Sequence, residues 1–232
     1  MIIFLHATCT MWSLSSDFIL TICRKNRNCG LTVGNSEQVY ITSSLFHDNN
    51  SSSYYTNDSK LDPGVFRFGG GLLLLWNSTE RNDNISNKAI VENCKFFKNY
   101  AGSDMRNKRD NRPHFYRPRG HGGAIVVAFK NTSKHTLVLR NSQIYENEAL
   151  FGGGGILLSF FRSSFDNTVL IMNTSFVNNS CKRDGGAINV NAFEMANRNS
   201  LTVKNCNFER NVARMGKGGA ANINLRVRLN FA

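Results

Sequence analysis

Short apolar runs recur along the chain at matching offsets from a four-residue box, in which an apolar residue is followed three positions later by asparagine. The boxes begin at Phe46, Phe96, Ile144, Phe176 and Phe208 and end at Asn49, Asn99, Asn147, Asn179 and Asn211. Seven residues before each box the column reads Val39, Ala89, Leu137, Val169 and Leu201; five before it, Ile41, Val91, Leu139, Ile171 and Val203. Tyr40, Ile90, Val138, Leu170 and Thr202 lie between and weaken the alternation, but aliphatic and β-branched residues dominate without a helical period, so the segment reads as a strand. Three before the box stand Ser43, Asn93, Asn141, Asn173 and Asn205, where the chain must turn and asparagine tolerates positive φ. Stacked at a repeat of ~4.8 Å, such amides are expected to ladder from turn to turn. Five after the box come Ser51, Ala101, Ala149, Cys181 and Ala213, small as a tight corner requires, and a double glycine then opens another short apolar strand.

The boxes are spaced by 50, 48, 32 and 32 residues. The double glycines, counted at Gly71, Gly123, Gly155, Gly186 and Gly219, are spaced by 52, 32, 31 and 33. A period near 32 predicts a stacked repeat. With about three short strands per turn, the expectation is an all-β chain folded as a right-handed parallel β-helix, a single-stranded solenoid of about five turns. One turn cannot bury its inward side chains alone, so the turns must stack. Residues 36–225 form the repeats, residues 1–35 read as a cap or the remnant of a preceding turn, and residues 226–232 are a tail.

The paired motif supports a family resemblance. GGAI at Gly122–Ile125 and Gly185–Ile188, GGGI at Gly153–Ile156 and FxxN in four of five repeats resemble the polymorphic outer membrane protein repeats of chlamydiae. Similar repeats occur in pectin-lyase-like right-handed β-helix proteins that are secreted or surface-bound. The resemblance covers roughly residues 36–225 and implies an adhesin-like β-helix at the cell surface or outside the cell.

Composition narrows the field. With 41% hydrophobic residues the chain fills a core, yet no apolar stretch reaches the ~18–20 residues a membrane helix needs. Met1–Cys23 is interrupted by His6, Thr10, Ser13 and Asp17 and has no Lys or Arg before Arg24, so it is a poor secretory signal as well. Among six cysteines, Cys94 and Cys206 share a column three turns, ~14 Å, apart and do not bridge; Cys23 and Cys29 close a small loop if the chain is exported. No CxxC or histidine cluster points to a metal, and no cofactor is implied. The glycine run Gly152–Gly155 lacks the following Lys-Ser/Thr and helix of a nucleotide site. No recognised nucleic-acid module is present, so nucleic acid is not an expected partner. Eight N-x-S/T sequons begin at Asn49, Asn50, Asn57, Asn77, Asn84, Asn131, Asn173 and Asn178, about twice the chance number. Asn50, Asn57, Asn77, Asn84 and Asn131 are the candidate glycosylation sites, whereas a glycan on Asn173 would collide with the next turn.

Catalysis is not expected on the strands. Enzymes acting on acidic polysaccharides need neighbouring carboxylates or a carboxylate-bound calcium with a basic proton acceptor. Here the column two after the box runs Asp48, Lys98, Glu146, Asn178, Arg210 and that four before it Thr42, Glu92, Arg140, Met172, Lys204, so acids face bases and read as cross-turn ion pairs. Asp184 and His121 fall two turns apart, ~10 Å, too far for a direct pair. A polysaccharide lyase or hydrolase would have to draw acids from the loops, such as Asp58, Asp62, Asp104 and Asp110.

Loop length is the more informative irregularity. From box asparagine to double glycine, the last three turns use 7, 6 and 7 residues and the first two 21 and 23. Two insertions therefore leave one corner of adjacent turns. The second carries Arg106, Lys108, Arg109, Arg112, Arg117 and Arg119 against Asp104 and Asp110, which is +4 of the chain's +12. His114, Phe115 and Tyr116 interleave with that charge, and Tyr54 and Tyr55 come from the neighbouring insertion. Cations beside aromatic faces suit an acidic glycan or an acidic protein surface. Counting from the second glycine also sets Leu74, Val126 and Leu158, then Trp76, Ala128 and Phe160, on an apolar outer face that the Trp12–Ile22 segment is expected to cover. The reading is a secreted or cell-surface binding module without catalysis. The alternatives are the polysaccharide-active enzyme and a fragment of a larger structural surface protein, with a neighbouring domain or further β-helix turns as partner.

Overall fold

The computed structural model describes residues 3–5, 9–12, 15–19, 21–26, 29–52, 69–77, 86–102, 120–193 and 195–225. Every described strand pairs in parallel with its equivalents one turn away. Seven box strands, from Ile3–Leu5 to Asn207–Glu209, form one sheet, and seven glycine-led strands, from Cys9–Trp12 to Ala221–Leu225, form another. Six leading strands, Ser15–Ile19 to Ser200–Lys204, make the third. The small residues after each box make a fourth sheet of five short strands, Asn50–Ser52 to Val212–Ala213, where the sequence indicated only a corner. The chain is a parallel β-helix.

Its interior is a set of columns. Phe46, Phe96, Ile144 and Phe176 are fully buried, with Phe46 stacked on Phe96 at 4.6 Å and Phe176 on Phe208 at 4.8 Å. Val39, Ile41 and their equivalents are buried through the fourth box turn. In parallel register each side chain meets its own kind, so the core is extended by repetition.

A continuous asparagine ladder runs on the box asparagines. Asn49 Nδ2 donates to Asn99 Oδ1 (2.8 Å), Asn99 to Asn147 (2.9 Å), Asn147 to Asn179 (3.0 Å) and Asn179 to Asn211 (3.0 Å). Each Oδ1 also accepts the backbone N–H of the preceding box asparagine, and the second amide hydrogen goes to a carbonyl one turn back, as from Asn99 to Phe46 O. Asn49, Asn99, Asn147 and Asn179 are at most 1% exposed, so this satisfaction is what permits polar groups inside the wall. In the corner column, to which the sequence reading assigned the ladder, Asn173 Nδ2 reaches Asn141 Oδ1 (3.2 Å), but the residues are exposed. Their role is the bend: Ser43, Asn93, Asn141, Asn173 and Asn205 have φ of 48–54°.

The stack extends two rungs before Phe46. Cys23 pairs with Phe46 and Asn26 Nδ2 donates to Asn49 Oδ1 (2.8 Å), so Cys23–Asn26 is a box with cysteine in the aromatic place. Cys9–Trp12 pairs beside Leu31–Gly34 and Ser15–Ile19 beside Gln38–Thr42, so this segment continues the sheets instead of crossing their outer face. Cys23 and Cys29 are buried and no disulfide joins them; Cys29 Sγ donates to Leu31 O at 3.0 Å.

Pairing corrects the glycine register. Leu72 aligns with Ile125, Ile156, Ile188 and Ala221, so the equivalent glycines are Gly70, Gly123, Gly154, Gly186 and Gly219. In the triple and quadruple runs the last glycine was one position too far. Leu74, Trp76, Leu158 and Phe160 consequently lie in the core, while Leu73, Val126 and Leu157 form the outer column, itself a small buried cluster. The two glycines of each pair differ in role. Gly122 has φ +66°, whereas a Cβ on Gly123 would sit 2.2 Å from Gly154 O, so the first serves the bend and the second the close approach of the next turn.

Candidate binding corner

Both insertions rise from the short fourth sheet and return at the glycine sheet. Tyr100 pairs with Asn50 and Gly102 with Ser52 at their departure, and Gly69 N donates to His121 O (3.2 Å) and Gly70 N to Gly122 O (3.1 Å) at their return. Their stems are thus hydrogen-bonded neighbours at one corner. Arg106, Lys108, Arg109, Arg112, His114, Phe115, Tyr116, Arg117, Arg119, Tyr54, Tyr55, Asn57 and Asn84 lie outside the described residues, as do Asp58, Asp62, Asp104 and Asp110.

Immediately below the return of the second insertion, the helix presents a column the sequence reading missed. Phe151 N donates to Gly120 O (2.7 Å) and Arg183 N to Phe151 O (2.8 Å), setting Gly120, Phe151 and Arg183 one above another. The half-buried His121 ring lies 5.4 Å from that of Phe151, and the exposed Arg183 guanidinium sits 5.1 Å over the same ring. Stacking on the ring holds the guanidinium in place while leaving its charge on the surface. Only the three-dimensional repeat joins a phenylalanine and an arginine 32 residues apart, although both precede a double glycine.

The other corner is neutral. Asn141, Gln143, Asn173, Ser175, Asn205 and Asn207 line a shallow open groove of about 450 Å³. On the box sheet, the outward rings of His47, Phe97 and Tyr145 stack at 4.8 and 5.0 Å with interplanar angles of 4°. Those ring faces are consumed by the stack, so mainly edges reach solvent.

Several described acids are engaged by cations or backbone. Lys98 lies 3.9 Å from Glu146, Arg140 pairs with Glu92, Arg214 with Glu148 (3.4 Å) and Arg198 with Asp166 (2.8 Å). The Arg198 hydrogen bonds hold the Asp166 carboxyl below its ordinary range. Asp184 accepts Lys217 N (3.0 Å), and Gly152 stands between it and His121, so they do not form a pair. Among the described residues no group of three His, Cys, Asp or Glu is placed to hold a metal, and no helix is long and apolar enough to cross a membrane.

The described sequons differ in access. Asn49 is buried with its amide nitrogen in the ladder. Asn50 is exposed on its strand, Asn77 is half-buried with its N–H donated to Asn35 Oδ1 (2.7 Å), and Asn131 turns a half-buried corner at φ 52°.

No curated protein and no solved structure matches the chain. The family model of the Chlamydia polymorphic membrane protein repeat matches residues 173–191, from the corner Asn173 through the Phe176–Asn179 box to the Gly185–Ile188 strand, and this turn is similar to a repeat of that type.

Proposed function

We propose that the chain is a binding module of the cell surface or extracellular space, recognising acidic glycans or acidic protein surfaces at the corner where the two insertions emerge. The observation that carries this reading is the juxtaposition of the insertion stems above the His121, Phe151 and Arg183 column. A stacked guanidinium extends the chemistry of the Arg- and aromatic-rich insertion onto the rigid helix, where less ordering entropy is lost on binding. A polymorphic-membrane-protein-type repeat in a parallel β-helix fits a surface-protein module. The engagement of Glu92, Glu146, Asp166 and Asp184 by cations or backbone argues against their use as acid and base in polysaccharide cleavage.

The test is a glycan array probed with the purified chain, a variant with Arg106, Lys108, Arg109 and Arg112 changed to Ser, and an Arg183→Ser variant. Binding to sulfated or carboxylated glycans that weakens in both variants and with rising salt supports the proposal. A folded wild type that binds no acidic glycan or acidic protein, or one that cleaves the polysaccharide, refutes it.

A further inference from the structure

The amide side chains of this molecule fall into two sets. On the wall, the box asparagines spend both amide hydrogens and the side-chain oxygen on the ladder, as Asn99 does with Asn147, Phe46 and Asn49. The corner before the box strands is different. Asn141, Gln143, Asn173, Asn205 and Asn207 are exposed there and Ser175 is half-buried, and the side-chain bond between them is that from Asn173 Nδ2 to Asn141 Oδ1 at 3.2 Å. Among the described residues, the other amide atoms of this set and the Ser175 hydroxyl have no protein partner.

These side chains line the groove of about 450 Å³, a volume within the range of small-ligand sites. Its shape follows from the turn. Asn141, Asn173 and Asn205 sit at φ of 48–53°, which fixes the direction in which each Cβ leaves the corner. Gln143, Ser175 and Asn207, two residues further on, pair in register on the box sheet. Between the two columns Ser142 and Thr174 turn inward, their hydroxyls donated to Arg140 O and Met172 O at 2.8 Å each, so the floor is closed and saturated while the rims are open. One turn earlier the same positions are Asn93, Cys94 and Lys95, so the uncharged lining starts at Asn141. Tyr145 shares a strand face with Gln143, ~7 Å along. Its ring is stacked on Phe97, and its edge and hydroxyl are set beside the groove.

We propose that this groove binds a segment of an uncharged glycan, a ligand separate from the acidic partner of the insertion corner. The lining holds no ionisable group, so an anion would lose hydration there without gaining an ion pair. Sugar hydroxyls both donate and accept, and a carboxamide offers both functions on neighbouring atoms, so one amide can meet two adjacent hydroxyls. The columns repeat at ~4.8 Å. A glycan of like units laid along the axis therefore meets like partners in successive turns, with the Tyr145 edge against its apolar C–H groups. The corner backbone and the Asn173–Asn141 bond orient amides before the ligand arrives, which lowers the ordering entropy lost on binding.

The test is isothermal titration with linear gluco-, manno- and galacto-hexasaccharides, all uncharged. The chain is made in a host without N-glycosylation, because Asn173 begins a sequon and a glycan attached there would occupy the groove. At least one probe is expected to bind at about 1 mM or tighter, with an affinity that does not change between low and high salt. Gln143→Ala with Asn207→Ala removes two exposed amides without touching the corner backbone, and Ser175→Arg fills the middle of the groove. Both variants should keep the circular dichroism spectrum and bind about tenfold more weakly or worse. A folded wild type that binds none of the probes, binding that weakens with salt, or folded variants that bind like the wild type would overturn the proposal.

Discussion

Replacing Asn147 by alanine probes the ladder at its buried middle rung. The side chain is 1% exposed. Its Oδ1 accepts Asn99 N–H (3.0 Å) and Asn99 Nδ2 (2.9 Å), and its Nδ2 supplies Phe96 O (3.0 Å), Tyr145 O (3.0 Å) and Asn179 Oδ1 (3.0 Å). Alanine leaves two buried donors on Asn99 without an acceptor, and Phe96 O keeps its strand pairing. At about 1–3 kcal/mol per stranded group, the loss is about 2–6 kcal/mol, a large part of a stability of about 5–15 kcal/mol. Asn211→Ala strands the corresponding donors of Asn179 at a half-buried rung, where water reaches them, and should cost about 1 kcal/mol. Urea unfolding followed by circular dichroism measures both. Hydrogen exchange localises the effect, because a solenoid need not unfold in one step. Equal costs at the two positions, or less than about 1 kcal/mol at Asn147, would refute the ladder as a stabilising element.

Phe96→Ala, in a fully buried column, should cost about 3–5 kcal/mol by denaturant unfolding. Gly154→Ala should abolish folded soluble protein, since its Cβ would lie 2.4 Å from Gly186 O and from Ser180 O, both backbone; normal expression with native circular dichroism would contradict that. Burial pushes the Cys29 thiol up to about 12 and those of Cys94 and Cys181 to about 11 from 9.0. Between pH 9 and 11 the unfolded chain therefore holds fewer protons than the folded one, so these thiols make stability fall as pH rises through that window. Replacing all three with Ala should flatten the slope of unfolding free energy against pH, and Cys94 should react with a thiol reagent only after denaturation.

Much of the architecture was legible in one turn. FxxN and the double glycine mark positions where geometry leaves few choices: an aromatic that meets its own copy at 4.6 Å, an asparagine with every donor used, and glycines at φ 66–85° or within 2.2–2.8 Å of the next backbone. The same rules miscarried where the signal was degenerate. Runs such as Gly152–Gly155 permit several registers, and only the pairing of Ile156 with Ile125 selects one. That slip moved Trp76 and Phe160 from core to surface, as a one-residue shift must in a strand. Cys23–Asn26 went unrecognised as a box because cysteine replaces the aromatic, although its asparagine lies 23 residues before Asn49 and joins the same ladder.

The sequence by itself determined the repeat, the parallel stack, the inward columns, the opposite charges that pair across turns and the corner from which the insertions depart. These follow from local geometry and from identical offsets, which a parallel stack converts directly into contacts. The tertiary structure decided the fourth sheet, which asparagine column carries the buried ladder, the two rungs before Phe46 and the Arg183–Phe151 contact. Those depend on register, which is set by contacts between turns and not by local sequence.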